Sequence, residues 1–287
     1  MTVDGSRKVG LIGWPVEHSL SPAMHNAAFQ ALGLGWRYEL LPVPPGQLGA
    51  ALADLSAGDF GGANVTVPHK SAVVAYLDEI DAAAQAIGAV NTIAVQGNRL
   101  LGHNTDAAGF VEALREEGLE PSGRRALLLG AGGAARAVAF ALAQAGCAVA
   151  IYNRTMVRAA ELAHDMQDLG LRAPVAWVPG EAALEELDLA RFDLLVNATT
   201  AGMWPNCEDT PWPEALALPS HGTVFDLVYN PLETRLLRQA HLAGARTIDG
   251  LGMLVWQGAL AFELWTGQKP PADLMRAAAL EALESRR

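Results

Sequence analysis

The stretch Leu127-Leu-Leu-Gly-Ala-Gly-Gly-Ala-Ala-Arg136 decides the fold. Three consecutive leucines read as a strand buried on both faces. Gly130, Ala131, Gly132 and Gly133 then form a tight turn that lets backbone come close to a ligand. Behind them runs Ala134-Ala-Arg-Ala-Val-Ala-Phe-Ala-Leu-Ala143, rich in strong helix formers. Strand, glycine turn and helix in this order fit the dinucleotide fingerprint G-x-G-x-x-G/A, with Ala135 in the last position. The unpaired amides at the start of such a helix suit a pyrophosphate. A glycine trio alone also marks an ordinary turn; the flanking strand and helix make it a dinucleotide turn.

About 20 positions after the first glycine, an NAD-preferring unit carries an acid for the ribose hydroxyls. Here that register holds Tyr152-Asn-Arg-Thr155, with Arg158 one turn on and no acid between Gly130 and Arg158. Guanidinium groups recognise a phosphate in bidentate fashion. Asn153, Arg154, Thr155 and Arg158 therefore point to NADP, the alternative being a solvated turn with surface arginines.

Composition sets the outer bounds. At 287 residues the chain has room for two domains, and 51% hydrophobic against 18% charged residues fits a packed globular protein. A formal net charge of −11 argues against a nucleic-acid surface, which needs clustered Lys and Arg. Cys147 and Cys207 are the only cysteines, so neither a disulfide framework nor a thiolate metal site is expected. Isolated thiols suit a reducing compartment. Met1-Thr-Val-Asp-Gly-Ser-Arg7 lacks the apolar core of a signal peptide, and no apolar run is long enough to span a membrane. The expectation is a cytoplasmic protein without membrane partners.

Ahead of the glycine stretch, periodicity predicts strands at Val9–Ile12, Trp36–Val43 and Ala63–Val67, with helices at Ser21–Leu32 and Gln47–Leu55. Ser21 reads as an N-cap with Pro22 at the first helical position. Helical stretches at Ser71–Leu77 and Asp81–Ile87 follow, and Gly97-Asn98 joins Ala89–Gln96 to Arg99–His103 as a hairpin. Residues 1–105 thus form an α/β substrate domain. Asp106–Glu117 is the connecting helix. Strands at Val149–Asn153, Val175–Val178, Leu194–Ala198 and Val224–Val228 complete, over 106–249, a Rossmann-like doubly wound parallel sheet. Residues 250–287, with helices at Leu251–Trp265 and Pro271–Glu284, are expected to pack back on the first domain.

Open α/β sheets bind ligands at strand ends, and three polar clusters fall there. Ser19-Leu-Ser21 brings two hydroxyls to a helix entrance. Asn64-Val-Thr66 alternates along a strand, with Lys70 just past Pro68. Asn91-Thr92 and Asn104-Thr-Asp106 end two further strands. Uncharged hydroxyls and amides with one Lys and one Asp suit a polyhydroxylated ligand. On residue types alone, Lys70 and Asp106 read equally well as a structural salt bridge with Asp106 as a helix N-cap. His18, His69 and His103 lack metal-ligand spacing, so no metal is expected, and they read as hydrogen-bonding scaffold.

The chain resembles the shikimate dehydrogenases almost end to end. The motifs are Gly13-Trp-Pro-Val-Glu-His-Ser-Leu-Ser-Pro22, Asn64-Val-Thr-Val-Pro-His-Lys70, Gly88-Ala-Val-Asn-Thr92 and Gly102-His-Asn-Thr-Asp106. After the glycine loop and Asn153-Arg-Thr155 come Asn197-Ala-Thr-Thr-Ala-Gly-Met203, Asp226-Leu-Val-Tyr-Asn-Pro231 and Asp249-Gly-Leu-Gly-Met-Leu-Val-Trp-Gln257. The resemblance implies NADPH-dependent reduction of 3-dehydroshikimate to shikimate, on the pathway to chorismate and the aromatic amino acids. It implies Lys70 and Asp106 as the catalytic pair. Ser19, Ser21, Asn64, Thr66, Asn91 and Gln257 would hold the substrate, with Tyr229 nearby. Gly130–Ala134, Asn153–Arg158, Thr199, Met203, Leu227, Gly250 and Met253 would hold the cofactor.

Thr199-Thr200 stands where many relatives have Thr-Ser, which keeps the hydroxyl. Relatives that also act on quinate often carry threonine at the position of Ser21 and an acid at the adenosine site, so Ser21 and Arg154 argue against that variant. Aminoshikimate dehydrogenases share the scaffold, and a non-catalytic NADP-binding sensor is the rival from another class. The family includes monomers and homodimers, and hinge closure over the substrate is a further expectation.

Overall fold

The structure is a computed structural model, and residues 7–286 are described. It is an α/β protein with two compact units, each built on its own six-stranded sheet.

The first unit begins β1 (Lys8–Gly13), α1 (Ser21–Ala31), β2 (Arg37–Pro42), α2 (Leu48–Ala57) and β3 (Phe60–Val65). A 3-10 turn (Ala72–Tyr76) follows, then β4 (Glu79–Ile80), α3 (Ala82–Ile87), β5 (Thr92–Gln96) and β6 (Arg99–His103). The strand order is β2-β1-β3-β5-β6-β4. β1 lies parallel to β2 and β3, whereas β5 runs antiparallel to β3 and β6. Ile12, Leu48, Leu52, Leu55, Val65 and Ile93 are among the buried residues that fill its core.

Local chemistry departs from the sequence expectation at three points here. Ser21 is the first residue of α1 rather than its N-cap; Leu20 holds that position without a side-chain bond. The hydroxyl at this helix start comes from Ser19, whose Oγ accepts the Ser21 N–H at 3.2 Å. The stretch expected as a helix at Ser71–Leu77 contains only the 3-10 turn. β4, two residues long, carries no readable period.

The connecting helix α4 (Thr105–Glu116) leads to β7 (Arg125–Leu129), α5 (Gly133–Gln144), β8 (Ala148–Tyr152), α6 (Met156–Gln167), β9 (Val175–Trp177) and α7 (Glu181–Glu185). Then come β10 (Leu194–Asn197), β11 (Thr223–Asp226), α8 (Arg235–Ala243) and β12 (Arg246–Ile248). All six strands are parallel in the order β12-β11-β10-β7-β8-β9. The winding reverses between β7 and β10, the topological switch point where such sheets take ligands. β12 was too short to show a sequence period. α9 (Leu251–Thr266) and α10 (Ala272–Glu284) close the chain, and α10 packs on α1.

The order of expected elements gives domain boundaries at 105/106 and 249/250. The compact units instead divide after Gly109 and after Leu254, inside α4 and α9, because helical bonding continues where packing partners change. No helix among the described residues is long and apolar enough to cross a membrane.

One buried group sets a pH dependence of folding. His25 of α1 is fully buried, stacked on Tyr38 with ring centroids 4.4 Å apart and 3° between planes, and flanked by Trp265 at 5.4 Å. Neither ring nitrogen has a hydrogen-bond partner. Burial pushes its pKa down from 6.5 to about 3. The unfolded chain therefore binds a proton that the folded chain refuses between these values, so stability falls as pH drops below about 6.5. The slope is about 1.4 kcal/mol per pH unit. Urea unfolding of His25→Phe between pH 7 and pH 4.5 should show a shallower loss of stability than the parent by about that slope. Equal pH dependence would mean that His25 titrates normally.

Candidate active site

The reversed direction of β5 gathers the polar residues of the first unit. Because β5 opposes both neighbours, its first residue Thr92 pairs with Asn64 at the carboxyl end of β3 and with His103 at the carboxyl end of β6. Three stretches far apart in sequence thus end side by side.

Asn91, just before β5, is the hub, and its amide has one satisfied orientation. Oδ1 accepts the Thr105 backbone N–H at 2.7 Å. Nδ2 therefore points the other way, to Thr105 Oγ1 at 2.9 Å, Asp106 Oδ1 at 2.9 Å and, more distantly, Gln257 Oε1 at 3.3 Å. The other Asp106 oxygen, Oδ2, accepts from Lys70 Nζ at 2.6 Å. Asp106 is buried and the Lys70 side chain 14% exposed, so the ammonium is the end of this chain that meets solvent or a ligand.

The alternative role of Asp106 as a helix cap is filled by another residue. Asn104 Oδ1 accepts the Ala107 N–H at 3.2 Å and its Nδ2 donates to the Ala89 carbonyl at 2.8 Å. With Asn104 at the N-cap, Asp106 keeps both carboxylate oxygens for Lys70 and Asn91.

The remaining expected substrate residues vary in availability. Asn64 Oδ1 accepts from the Tyr38 hydroxyl at 2.8 Å, and its Nδ2 donates to the Asn91 carbonyl at 3.2 Å and Thr92 Oγ1 at 3.0 Å. Both amide hydrogens are used, so Asn64 can offer a ligand only its second oxygen lone pair. Thr66 lies one residue past β3 rather than in it, half-buried, its N–H bonded to the Ile12 carbonyl. Ser19 and Ser21 are buried, and Arg286 donates to the His18 and Ser19 carbonyls at 2.6 and 3.1 Å. Tyr229 belongs to the second unit, half-buried on the loop after β11. His69 bonds the Val43 carbonyl at 2.7 Å and His103 bonds Asp81 at 2.8 Å, both as scaffold. Among the described residues no group of three His, Cys, Asp or Glu is placed to hold a metal.

In the second unit, Gly130 ends β7 with φ +113°, a left-handed conformation that favours glycine. A Cβ there would meet Thr199 Cγ2 at 3.1 Å and the Ala198 backbone at 3.2 Å. At Gly132, the N-cap of α5, a Cβ would project into open space. Free amides and an unobstructed approach at a helix N-terminus fit a pyrophosphate. Gly250 packs against the Leu227 carbonyl with no room for a side chain, and the Leu227 N–H bonds the Asn197 carbonyl at the end of β10, beside the switch point. Met203 is 40% exposed, whereas Met253 is buried.

At the end of β8, Asn153 Nδ2 bonds the Thr155 carbonyl at 2.9 Å and shapes the turn into α6. Arg154 and Arg158 are exposed, and neither meets a carboxylate within 4 Å among the described residues. Arg136, by contrast, is paired with Asp165 at 2.7 Å. Two uncompensated guanidinium groups at this register fit a 2′-phosphate.

Sequence reasoning passed over Tyr38, Thr105 and Asp226. The first reads as a strand aromatic, and the second stands only within the cluster Asn104-Thr-Asp106 with no role of its own. Asp226 carried a motif but no chemistry, since its partners Asn197 and Thr234 are distant in sequence.

Residues 11–93 match the family model described as the shikimate dehydrogenase substrate binding domain, and 113–203 match shikimate / quinate 5-dehydrogenase. Residues 250–280 match the shikimate 5′-dehydrogenase C-terminal domain. A shikimate dehydrogenase (NADP(+)) of Moorella thermoacetica is 52% identical over 96% of this chain and 93% of its own length. A crystal structure of a shikimate dehydrogenase in complex with NADP+ superposes with TM-score 0.88 at 43% identity, covering 97% of this chain and 96% of that one. The Thermus thermophilus enzyme in complex with NADP(H) and shikimate gives 0.83 at 45% identity, covering 96% and 99%. Identity of this level along nearly the whole length fixes the relationship: the chain belongs to the shikimate dehydrogenase family.

Proposed function

We propose that this protein catalyses the reversible NADPH-dependent reduction of 3-dehydroshikimate to shikimate, on the route to chorismate and the aromatic amino acids. The observation that carries the reading is the 2.6 Å Lys70–Asp106 pair, fixed by Asn91 among residues suited to a polyhydroxylated ring. Both cysteines are free thiols, which supports a cytoplasmic setting.

NADPH, when bound, supplies the hydride. The glycine turn from Gly130 to Ala134 would hold its pyrophosphate and Arg154 with Arg158 its 2′-phosphate, with Asn153, Thr155, Thr199, Met203, Leu227, Gly250 and Met253 completing the site. As the ketone carbon is reduced, its oxygen gains charge and needs a proton. Lys70 donates that proton from its ammonium, and in the oxidation direction its amine takes the proton from the hydroxyl. Asp106 holds Nζ in place and balances its charge, while Asn91 prevents the carboxylate from rotating away. Ser19, Ser21, Thr66, Gln257 and the free lone pair of Asn64 anchor the carboxylate and ring hydroxyls, and the family resemblance adds Tyr229 to the substrate residues. Ser21 and Arg154 favour shikimate with NADP over quinate with NAD.

The direct test is absorbance of the reduced nicotinamide with shikimate, quinate and aminoshikimate, each with NADP+ and NAD+. Turnover should be fastest with shikimate and NADP+, and no turnover with any of the three would overturn the assignment. Lys70→Ala should lower kcat by about 10²–10⁴ with a much smaller change in KM for shikimate; an unchanged kcat would remove Lys70 as the proton donor. Replacing Arg154 and Arg158 together with Ser should raise KM for NADP+ about tenfold or more and leave KM for NAD+ nearly unchanged. Equal effects on the two cofactors would rule out phosphate recognition by this pair.

A further inference from the structure

Asp226, at the carboxyl end of β11, is wholly buried and takes no part in the steps above. Three donors from separate segments converge on it. Oδ1 accepts from the Val228 N–H at 3.0 Å and from Asn197 Nδ2 at 2.8 Å; Oδ2 accepts from Thr234 Oγ1 at 2.7 Å. Thr234 is also the N-cap of α8, its Oγ1 accepting the Leu237 N–H at 3.2 Å.

From Asp226 the connection continues toward the glycine turn. Because Asn197 Nδ2 is held by the carboxylate, its Oδ1 faces the following loop, where it accepts the Thr199 N–H at 2.9 Å and Oγ1 at 2.7 Å. Thr199 Oγ1 in turn accepts the Ala201 N–H at 3.1 Å. The Asn197 carbonyl also takes the Leu227 N–H at 2.9 Å. The Thr199 side chain is the one that a Cβ at Gly130 would strike. Burial pushes the Asp226 carboxyl up to about 6, even though its three hydrogen bonds favour the charged form. An apolar residue would fill this space without that desolvation; what the carboxylate adds is a fixed direction for its three donors.

We infer that Asp226 is a positioning residue for the dinucleotide: through Asn197 it fixes the Thr199 loop, and through Val228 the Leu227 segment, on the crevice facing the Gly130 turn. It touches no ligand itself. The inference rests on the NADP binding proposed above.

Titration of NADP+ into the full-length protein, followed by calorimetry, separates the two claims. No binding to the parent protein would remove the cofactor reading itself. Given parent binding, Asp226→Ala and Asn197→Ala should each weaken Kd for NADP+ about tenfold or more, with KM for shikimate within about twofold. Asn197→Ala leaves the Thr234 and Val228 bonds of Asp226 in place and so keeps the α8 cap. Asp226→Asn retains an oxygen for Val228 and Asn197 and should rescue Kd to within about threefold. A merely structural role would lower the folded fraction and the apparent kcat without moving Kd. Parent-like Kd in either alanine variant that melts cooperatively overturns the inference, as does Asp226→Asn losing about tenfold or more in Kd.

Discussion

A buried carboxamide has one oxygen and one NH2 group, and a backbone N–H aimed at it leaves a single satisfied orientation. That constraint governs both halves of this protein. At Asn91 the Thr105 N–H selects the oxygen, so the NH2 group must face Asp106. At Asn197 the Thr199 N–H selects the oxygen, and the NH2 group must face Asp226. The same Thr–Asn–Asp arrangement thus occurs at the strand ends of two sheets with different topologies. In the first it terminates on an ammonium at the rim of the site, in the second on the cap of a helix. On the roles proposed above, the difference between a reacting group and a brace lies in what the far carboxylate oxygen meets.

Such networks have cooperative consequences. Each amide takes its direction from the next, so removing one member leaves several buried groups with reduced satisfaction. Asn64 illustrates the cost of precision. With the Tyr38 hydroxyl on its oxygen and both hydrogens occupied, it is stiff, and it has little left to give a ligand. The first unit reaches its geometry by using most of the hydrogen-bonding capacity of its polar strand ends internally.

Much of this was legible in the sequence because the signals are local. The Leu127–Leu129 strand, its glycine turn and the alanine-rich helix sit within twenty residues, and the parallel sheet follows from the strands spaced after them. The polar strand ends were legible as residue types, and Lys70 and Asp106 as a pair to consider. What sequence could not supply was direction. That Asn104 rather than Asp106 caps α4 depends on which oxygen reaches Ala107. That Ser19 rather than Ser21 serves the start of α1 depends on a one-residue difference in where the helix begins. β4 and β12 are too short to carry a period and exist only because a neighbouring strand pairs with them. Asp226 was hidden because its side-chain partners, Asn197 at the end of β10 and Thr234 at the start of α8, belong to other elements.

On the cofactor binding proposed above, the unpaired state of Arg154 and Arg158 would bear on the rate of capture as well as on recognition. The chain carries a formal net charge of −11, and a phosphorylated dinucleotide is itself a polyanion. At long range the two repel; at the end of β8 the exposed Arg154 and Arg158 place positive charge on an otherwise acidic chain. On that binding, encounter would be steered phosphate first toward this pair. Added salt acts on both parts of this path: it screens the distant repulsion over roughly 8–10 Å and weakens the attraction of the exposed guanidinium groups. Ionic strength would thereby set the balance between approach and orientation for an acidic protein taking up an acidic ligand.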